Sequence, residues 1–282
     1  MHTILVPTDF SNEAYNALFY ATQLLKSKVC TFYILNTFNE TTPLRTKRIA
    51  RRGGKALIGQ LRDESSEGLQ GTYHKIVLDN NNPDHTFHVI SENRGLTETI
   101  SKIVQEKQID MVVVGNKGVT GAKTVFWGSN TTRIINEMKQ CPILTVPKEI
   151  DFKIPRDIAF ATDYKRSYSA EILNPIQTIA SLFNSSVRIM HINEKERLDK
   201  YQESNSNTLR EYLSKLDHSV HWMPYFGSKV DAITLFLKEL DIDMLTMVNY
   251  SHNFLGNLLR EPVIKRVNFN LEIPFLVIPC QD

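Results

Sequence analysis

The sequence predicts an α/β protein made of two tandem domains, each a doubly wound, open parallel β-sheet of Rossmann-like form. Three observations carry this. Short apolar, β-branched runs such as Asp110-Met-Val-Val-Val alternate with longer helical patterns, which is the pattern of a parallel sheet covered on both faces. Motifs of the first half recur in order in the second half. A length of 282 residues suits two domains of ordinary size, each able to bury its own core.

In the first half the pattern predicts strands near 2–7, 30–36, 86–90, 110–115 and 143–147. Each is a short run rich in Val, Ile, Leu and aromatics, bounded by polar residues. Helices are predicted near 11–27, 44–68, 95–107 and 129–139. The second half predicts strands near 157–162, 186–192, 219–224, 243–248 and 275–279. Its helices fall near 167–184, 205–216 and 229–240. Ligands of such sheets bind beyond the carboxyl ends of the strands, where the strand order reverses. Asp9, Thr37 and Gly115 all fall at such ends.

The repeat is explicit. Ile4-Leu-Val-Pro-Thr-Asp9-Phe pairs with Ile158-Ala-Phe-Ala-Thr-Asp163-Tyr. Gln108-Ile-Asp-Met111 pairs with Asp241-Ile-Asp-Met244. Cys141-Pro-Ile-Leu-Thr-Val-Pro147 pairs with Ile273-Pro-Phe-Leu-Val-Ile-Pro279, the prolines equally spaced. These matches predict a tandem duplication, with domains at 1–149 and 155–282 and a charged linker between them. The apolar last strands, 143–147 and 275–279, are candidate edges that invite pairing.

Composition sets further bounds. A net charge of +2 argues against binding driven by nucleic-acid phosphates. No apolar run is long enough to span a bilayer, and no signal-peptide pattern precedes Thr8-Asp9, so no membrane partner and a cytoplasmic location are expected. Cys30, Cys141 and Cys280 are too few and scattered for a disulfide framework or a zinc site. The dispersed histidines offer no His-x-x-x-His pair, so no metal ligand is assigned. The basic run Arg45-Thr-Lys-Arg-Ile-Ala-Arg-Arg52 reads as a solvated face.

Gly115-Asn-Lys-Gly118, followed by Gly128-Ser129, carries the clearest functional signal. It lies between a predicted strand and the predicted helix opening at Asn130-Thr-Thr-Arg. Glycines let backbone N–H groups approach phosphate oxygens, and a helix start adds unpaired donors and partial positive charge. The Ser129 hydroxyl adds a further donor, and Lys117 and Lys123 lie in the intervening loop. The pattern is neither a Walker A loop nor Gly-x-Gly-x-x-Gly. Asp9, one residue past a buried strand, can accept hydrogen bonds from an adenine amino group or a ribose hydroxyl. It can equally cap the following helix, as can Ser11.

Spaced as Gly-x2-Gly-x9-Gly-Ser, the loop resembles the ATP-binding motif of the universal stress protein family. Thr3-Ile-Leu-Val-Pro-Thr-Asp-Phe-Ser11 resembles that family's first strand and its aspartate, and 141–147 its last strand. The resemblance implies a fold like that of the adenine nucleotide α-hydrolases and a regulatory role in stress response. It also implies a nucleotide site of Thr8, Asp9, Thr37, Gly115, Gly118, Gly128, Ser129 and Asn130. ATP is the implied ligand, with ADP or AMP as alternatives, and Mg2+ as a companion of the phosphates. Family dimers imply an intrachain pseudo-dimer through the last strands; a homodimer of whole chains and an unnamed protein partner are further expectations.

The second half departs from the motif. Val248 stands where Gly115 stands, Ser251 where Gly118 stands, and Arg260-Glu261-Pro262 near the Gly-Ser position. A bulky side chain, a proline and an acidic residue suit a phosphate poorly. This half is therefore expected not to bind ATP in the family's manner. No catalytic residue is assigned, because Gly115–Asn130 contains no Asp, Glu or His. Adenylyl-transfer signatures such as His-x-Gly-His are absent. An enzyme is expected at most to hydrolyse ATP slowly; a structural interaction module without nucleotide is the other alternative.

Overall fold

A computed structural model describes residues 2–39, 42, 55–116, 129–148, 150–193, 197–225, 229–250 and 272–280. These fall in two compact units that divide between Phe152 and Lys153. The first contains β1 (His2–Pro7), α1 (Asn12–Leu24), β2 (Cys30–Thr37), α2 (Lys55–Asn80) and β3 (His85–Glu92). It continues with α3 (Leu96–Lys107), β4 (Met111–Asn116), α4 (Ser129–Glu137) and β5 (Ile143–Pro147). The second contains β6 (Asp157–Thr162), α5 (Ala170–Phe183), β7 (Ser186–Asn193), α6 (Lys200–Tyr212) and β8 (His218–Pro224). It ends with α7 (Lys229–Glu239), β9 (Met244–Asn249) and β10 (Phe275–Pro279).

Within the first unit the strand order is β3-β2-β1-β4-β5, and within the second β8-β7-β6-β9-β10. Each strand pairs in parallel with its neighbours in the unit. The α/β fold read from the sequence is thus present twice. The chain runs outward from β1 to β3, then crosses back to place β4 beside β1. With right-handed crossovers, α1 and α2 cover one face and α3 and α4 the other; α1 packs on α2, and α3 on α4. The order reverses between β1 and β4, which is where such a sheet opens a crevice. A strand buried on both faces must be apolar throughout. Ile4, Leu5 and Val6 of β1 are at most 1% exposed, and burying each contributes about 1.5–3 kcal/mol.

The repeated Ile-Asp-Met motif has a physical task. Asp110 Oδ2 accepts the N–H of Thr3 at 2.7 Å, tying the start of β1 to the start of β4. Asp243 Oδ2 accepts the N–H groups of Arg156 at 2.8 Å and Asp157 at 3.1 Å, tying β6 to β9. Gln108 and Asp241, which open the two motifs, both take left-handed backbone, with φ of 50° and 47°.

Two helices differ from the sequence expectation. The expected helix 44–68 is described from Lys55 and runs on to Asn80; residues 44–54 lie outside the described residues. It continues past Gly68 and Gly71, each costing about 1 kcal/mol against alanine. The reason is one buried stripe of Leu61, Ser65, Leu69 and Ile76 along it. Packing bears on Gly68 as well: a Cβ there would stand 2.6 Å from the Phe10 ring, which would have to shift. Helix α6 begins at Lys200 rather than near 205, because Asp199 and Gln202 form a reciprocal capping box ahead of it.

Candidate functional site

In the first unit a cleft of about 660 Å³ opens at the carboxyl ends of β1, β2 and β4. Thr8, Asp9, Thr37, Gly115 and Asn130 all line it, although they come from four separate parts of the sequence. Gly118, Gly128, Lys117 and Lys123 lie outside the described residues. Ser129 opens α4, but only its backbone is described.

The turn after β1 is held from several sides. The Thr8 N–H donates to Leu35 at 2.7 Å, and the buried Asn36 side chain donates to the Thr8 carbonyl at 2.7 Å. The Thr8 hydroxyl accepts the Phe10 N–H at 2.9 Å, and Phe10 takes left-handed backbone with φ 64°. This fixes Asp9 at the cleft with an exposed carboxylate. Its Oδ1 accepts both the N–H and the hydroxyl of Ser11, at 3.1 and 2.5 Å. Ser11 is the cap of α1, its Oγ accepting the Ala14 N–H at 3.3 Å. Asp9 therefore orients the cap instead of being it, and the second carboxylate oxygen, Oδ2, has no part in these two bonds.

Gly115 has a packing reason of its own. A Cβ at this position would stand 2.4 Å from the Glu13 carbonyl oxygen and 3.0 Å from the Ala14 nitrogen. The first turn of α1 thus packs directly on β4, which carries the cap region to the cleft. Thr131 in the first turn of α4 donates its hydroxyl to the Gly115 carbonyl at 3.4 Å. The start of α4 is aimed at the same space as the strand end, which suits an anion.

Two cations in the wall were not singled out from the sequence. Arg94 precedes α3 and Arg133 lies in α4. Each pairs with a glutamate four residues on, Arg94 with Glu98 and Arg133 with Glu137, both at 2.9 Å. Such exposed pairs hold little energy, so a phosphate competes readily for the guanidinium groups. Arg133 was findable as one helical turn beyond Ser129; Arg94 has no local signal, because the crossover from β3 brings it there. Asp9 is the single carboxylate among the described lining residues, and these hold no cluster of three or more His, Cys, Asp or Glu able to grip a metal.

The second unit repeats the turn and changes its surroundings. The Thr162 hydroxyl accepts the Tyr164 N–H at 3.0 Å, and Tyr164 has φ 56°. His191 replaces Asn36, its Nδ1 lying 3.0 Å from the Thr162 carbonyl. Val248 occupies the Gly115 position, and α5 starts seven residues after Asp163, against three for α1 after Asp9. Tyr168 hydrogen-bonds the Thr162 hydroxyl, and Tyr250 follows β9. Both tyrosines are buried, and burial holds both phenols above their ordinary pKa. Aromatic bulk thus stands at the ends of β6 and β9, where the first unit offers a glycine and a cleft.

None of the three cysteines forms a disulfide among the described residues. Burial pushes the Cys141 thiol up to about 12 and the Cys30 thiol to about 11, so neither is a reactive thiolate. No helix among the described residues is long and apolar enough to cross a membrane.

Comparison with solved structures places this architecture among known folds. A universal stress protein from Archaeoglobus fulgidus is 17% identical, with 98% of each chain covered and a TM-score of 0.70. A putative universal stress protein from Pseudomonas aeruginosa is 15% identical, with 99% of this chain and 93% of that one covered and a TM-score of 0.56. A functionally unknown protein from the same organism is 14% identical, covering 99% and 92%, at 0.54. No curated protein matches the sequence. The description "Universal stress protein family" matches residues 1–147, the whole span from β1 to the end of β5, and the chain belongs to that family.

Proposed function

We propose that the first unit binds an adenine nucleotide, ATP in the first instance, and that the protein is a nucleotide-dependent regulator in stress response. The observation that carries this is the convergence of Thr8, Asp9, Thr37, Gly115 and Asn130 on one cleft at the reversal of strand order. Asp9 would accept from the adenine or ribose end. The start of α4, with Ser129 and Asn130, would receive the phosphates, and Gly118 and Gly128 would let backbone donors close on them. Arg94 and Arg133 add the positive charge that phosphates require. A Mg2+ ion would arrive on the phosphates, since the described wall offers one carboxylate. A cytoplasmic location belongs to the same reading and agrees with cysteines that form no disulfide among the described residues.

Calorimetry with ATP tests the proposal. One site per chain is expected. A bulky residue at Gly128 should abolish binding, and Ser129→Ala should weaken it by about 0.5–3 kcal/mol, the range for one donor to a charged acceptor. Asp163→Ala should leave affinity unchanged. A stoichiometry near two, or full affinity in the Gly128 variant, would place the site elsewhere. A second reading, an interaction module without nucleotide, draws support from Gly115, whose packing on Glu13 accounts for that glycine without a ligand. Absence of any ATP heat would favour it.

A further inference from the structure

The second unit has a cleft of its own, of about 610 Å³, at the carboxyl ends of β6 and β7. Its position answers to the cleft of the first unit, and its chemistry differs. One wall is aromatic. The Tyr164 ring stacks on His191 at 4.9 Å, and His191 meets the edge of Trp222 at 5.1 Å. Trp222 is 49% exposed while lining the cleft, so a large apolar face is left to water, which is costly without an occupant.

The rest of the lining is charged on part of its length. Lys165 after β6, Arg197 before α6 and Lys229 at the start of α7 reach it from three separate elements. Two carboxylates there serve their own turns. Asp163 Oδ1 accepts the Lys165 N–H at 3.0 Å while its Oδ2 lies 3.9 Å from the Lys165 ammonium, a long, partly exposed pair that holds little energy. Asp199 Oδ1 accepts the Gln202 N–H at 2.8 Å as the α6 cap. Glu203 is the third acidic residue of the lining. A half-exposed indole in one cleft with Arg197 and Lys229 suits a ring that carries an anionic group: the ring stacks, and the anion meets the guanidinium and ammonium groups. Tyr168 and Tyr250 stand at the ends of β6 and β9, and among the described residues of these two strand ends there is no glycine like Gly115.

We infer that the second unit binds a small aromatic anion, an aromatic monophosphate or carboxylate, in the cleft that Trp222 shares with Lys165, Arg197 and Lys229. This site is independent of the nucleotide reading of the first unit. Phenyl phosphate is the probe, with inorganic phosphate and phenol as its separated halves. The chain has two tryptophans, so Trp127→Phe leaves Trp222 as the sole indole emitter. Phenyl phosphate should change its emission saturably, and bind at least about tenfold tighter than either half, about 1.4 kcal/mol. Arg197→Gln and Lys229→Gln should each weaken binding several-fold at unchanged thermal stability, and Arg197→Lys should restore part of it. Trp222→Leu, read by calorimetry, should weaken it also. Three results would overturn the inference: no saturable response, phosphate or phenol alone binding as tightly, or wild-type affinity in the Arg197→Gln and Trp222→Leu variants. A Trp222 response to ATP at lower concentration than to phenyl phosphate would overturn it too.

Discussion

His85 stands at the start of β3 with its Nε2 3.2 Å from the Leu25 carbonyl and its Nδ1 3.1 Å from Asn80 Nδ2. The arrangement fits a neutral ring that donates from Nε2 and accepts at Nδ1. Burial lowers its pKa from the ordinary 6.5, outweighing the backbone carbonyls of Leu25 and Lys28 and the nearby Asp84. His221, 2.7 Å from the Ser219 hydroxyl and near Arg188, is lowered likewise, again chiefly by burial. A group that resists protonation only when folded makes the unfolded state the greater proton binder below 6.5. Stability should therefore hold above about pH 6.5 and fall as pH drops from there toward the folded pKa values. Urea denaturation between pH 7.5 and 5.5 checks this. His85→Gln with His221→Gln should flatten the slope, and an unchanged slope would mean that other groups set it.

At the scale of elements, the two Ile-Asp-Met motifs clamp strand starts that are far apart in sequence. The Asp243 side chain is 7% exposed and also meets Lys153 at 3.1 Å. Asp243→Ala strands two N–H donors and should cost about 1.5–3 kcal/mol, the range for hydrogen bonds to a charged group. Asp110→Ala, which strands the Thr3 N–H alone, should cost less. Guanidinium melts of both variants decide it, and equal costs would refute the clamp. The sequence displayed these motifs as a repeat, yet their task was illegible, because the partner N–H groups lie on strands about a hundred residues earlier. Strands were legible for a plain reason: burial on both faces demands runs such as Met111-Val-Val-Val. Helix ends were less so. The extension of α2 past two glycines depends on a stripe that only packing reveals, and Asp199 caps an α6 that begins at Lys200, ahead of the start that periodicity gave near 205. At the site, Asp9 and the glycine loop could be read locally, whereas Arg94 arrives by a crossover. Gly115, read as a phosphate glycine, turns out to be the contact point of α1 on β4.

For the whole molecule, the duplicated fold carries two unlike clefts, and the first is expected to hydrolyse ATP slowly at most. Rapid ATP cleavage requires an oriented water, charge stabilisation and usually a base. In the first unit the described lining supplies cations and one carboxylate, which is occupied with Ser11. Turnover should stay below about 1 per second, under the range of ordinary enzymes. A multiple-turnover assay measures this, and a faster rate would require a catalytic group not yet identified.

The strand order has a consequence in time. During synthesis β1 can pair with β2 once residue 37 has emerged, but its other edge waits for β4, which begins at Met111. At about 5–20 residues per second, that wait lasts on the order of 4–15 s. Ile4, Leu5 and Val6 spend it at an open, apolar edge. The same exposure recurs for β6, whose neighbour β9 begins only at Met244. Each newborn chain thus passes twice through an interval in which a strand destined for the interior of a sheet is a template for misassociation. Two such intervals, one per unit, make synthesis itself the stage at which this chain's apolar edges are most open.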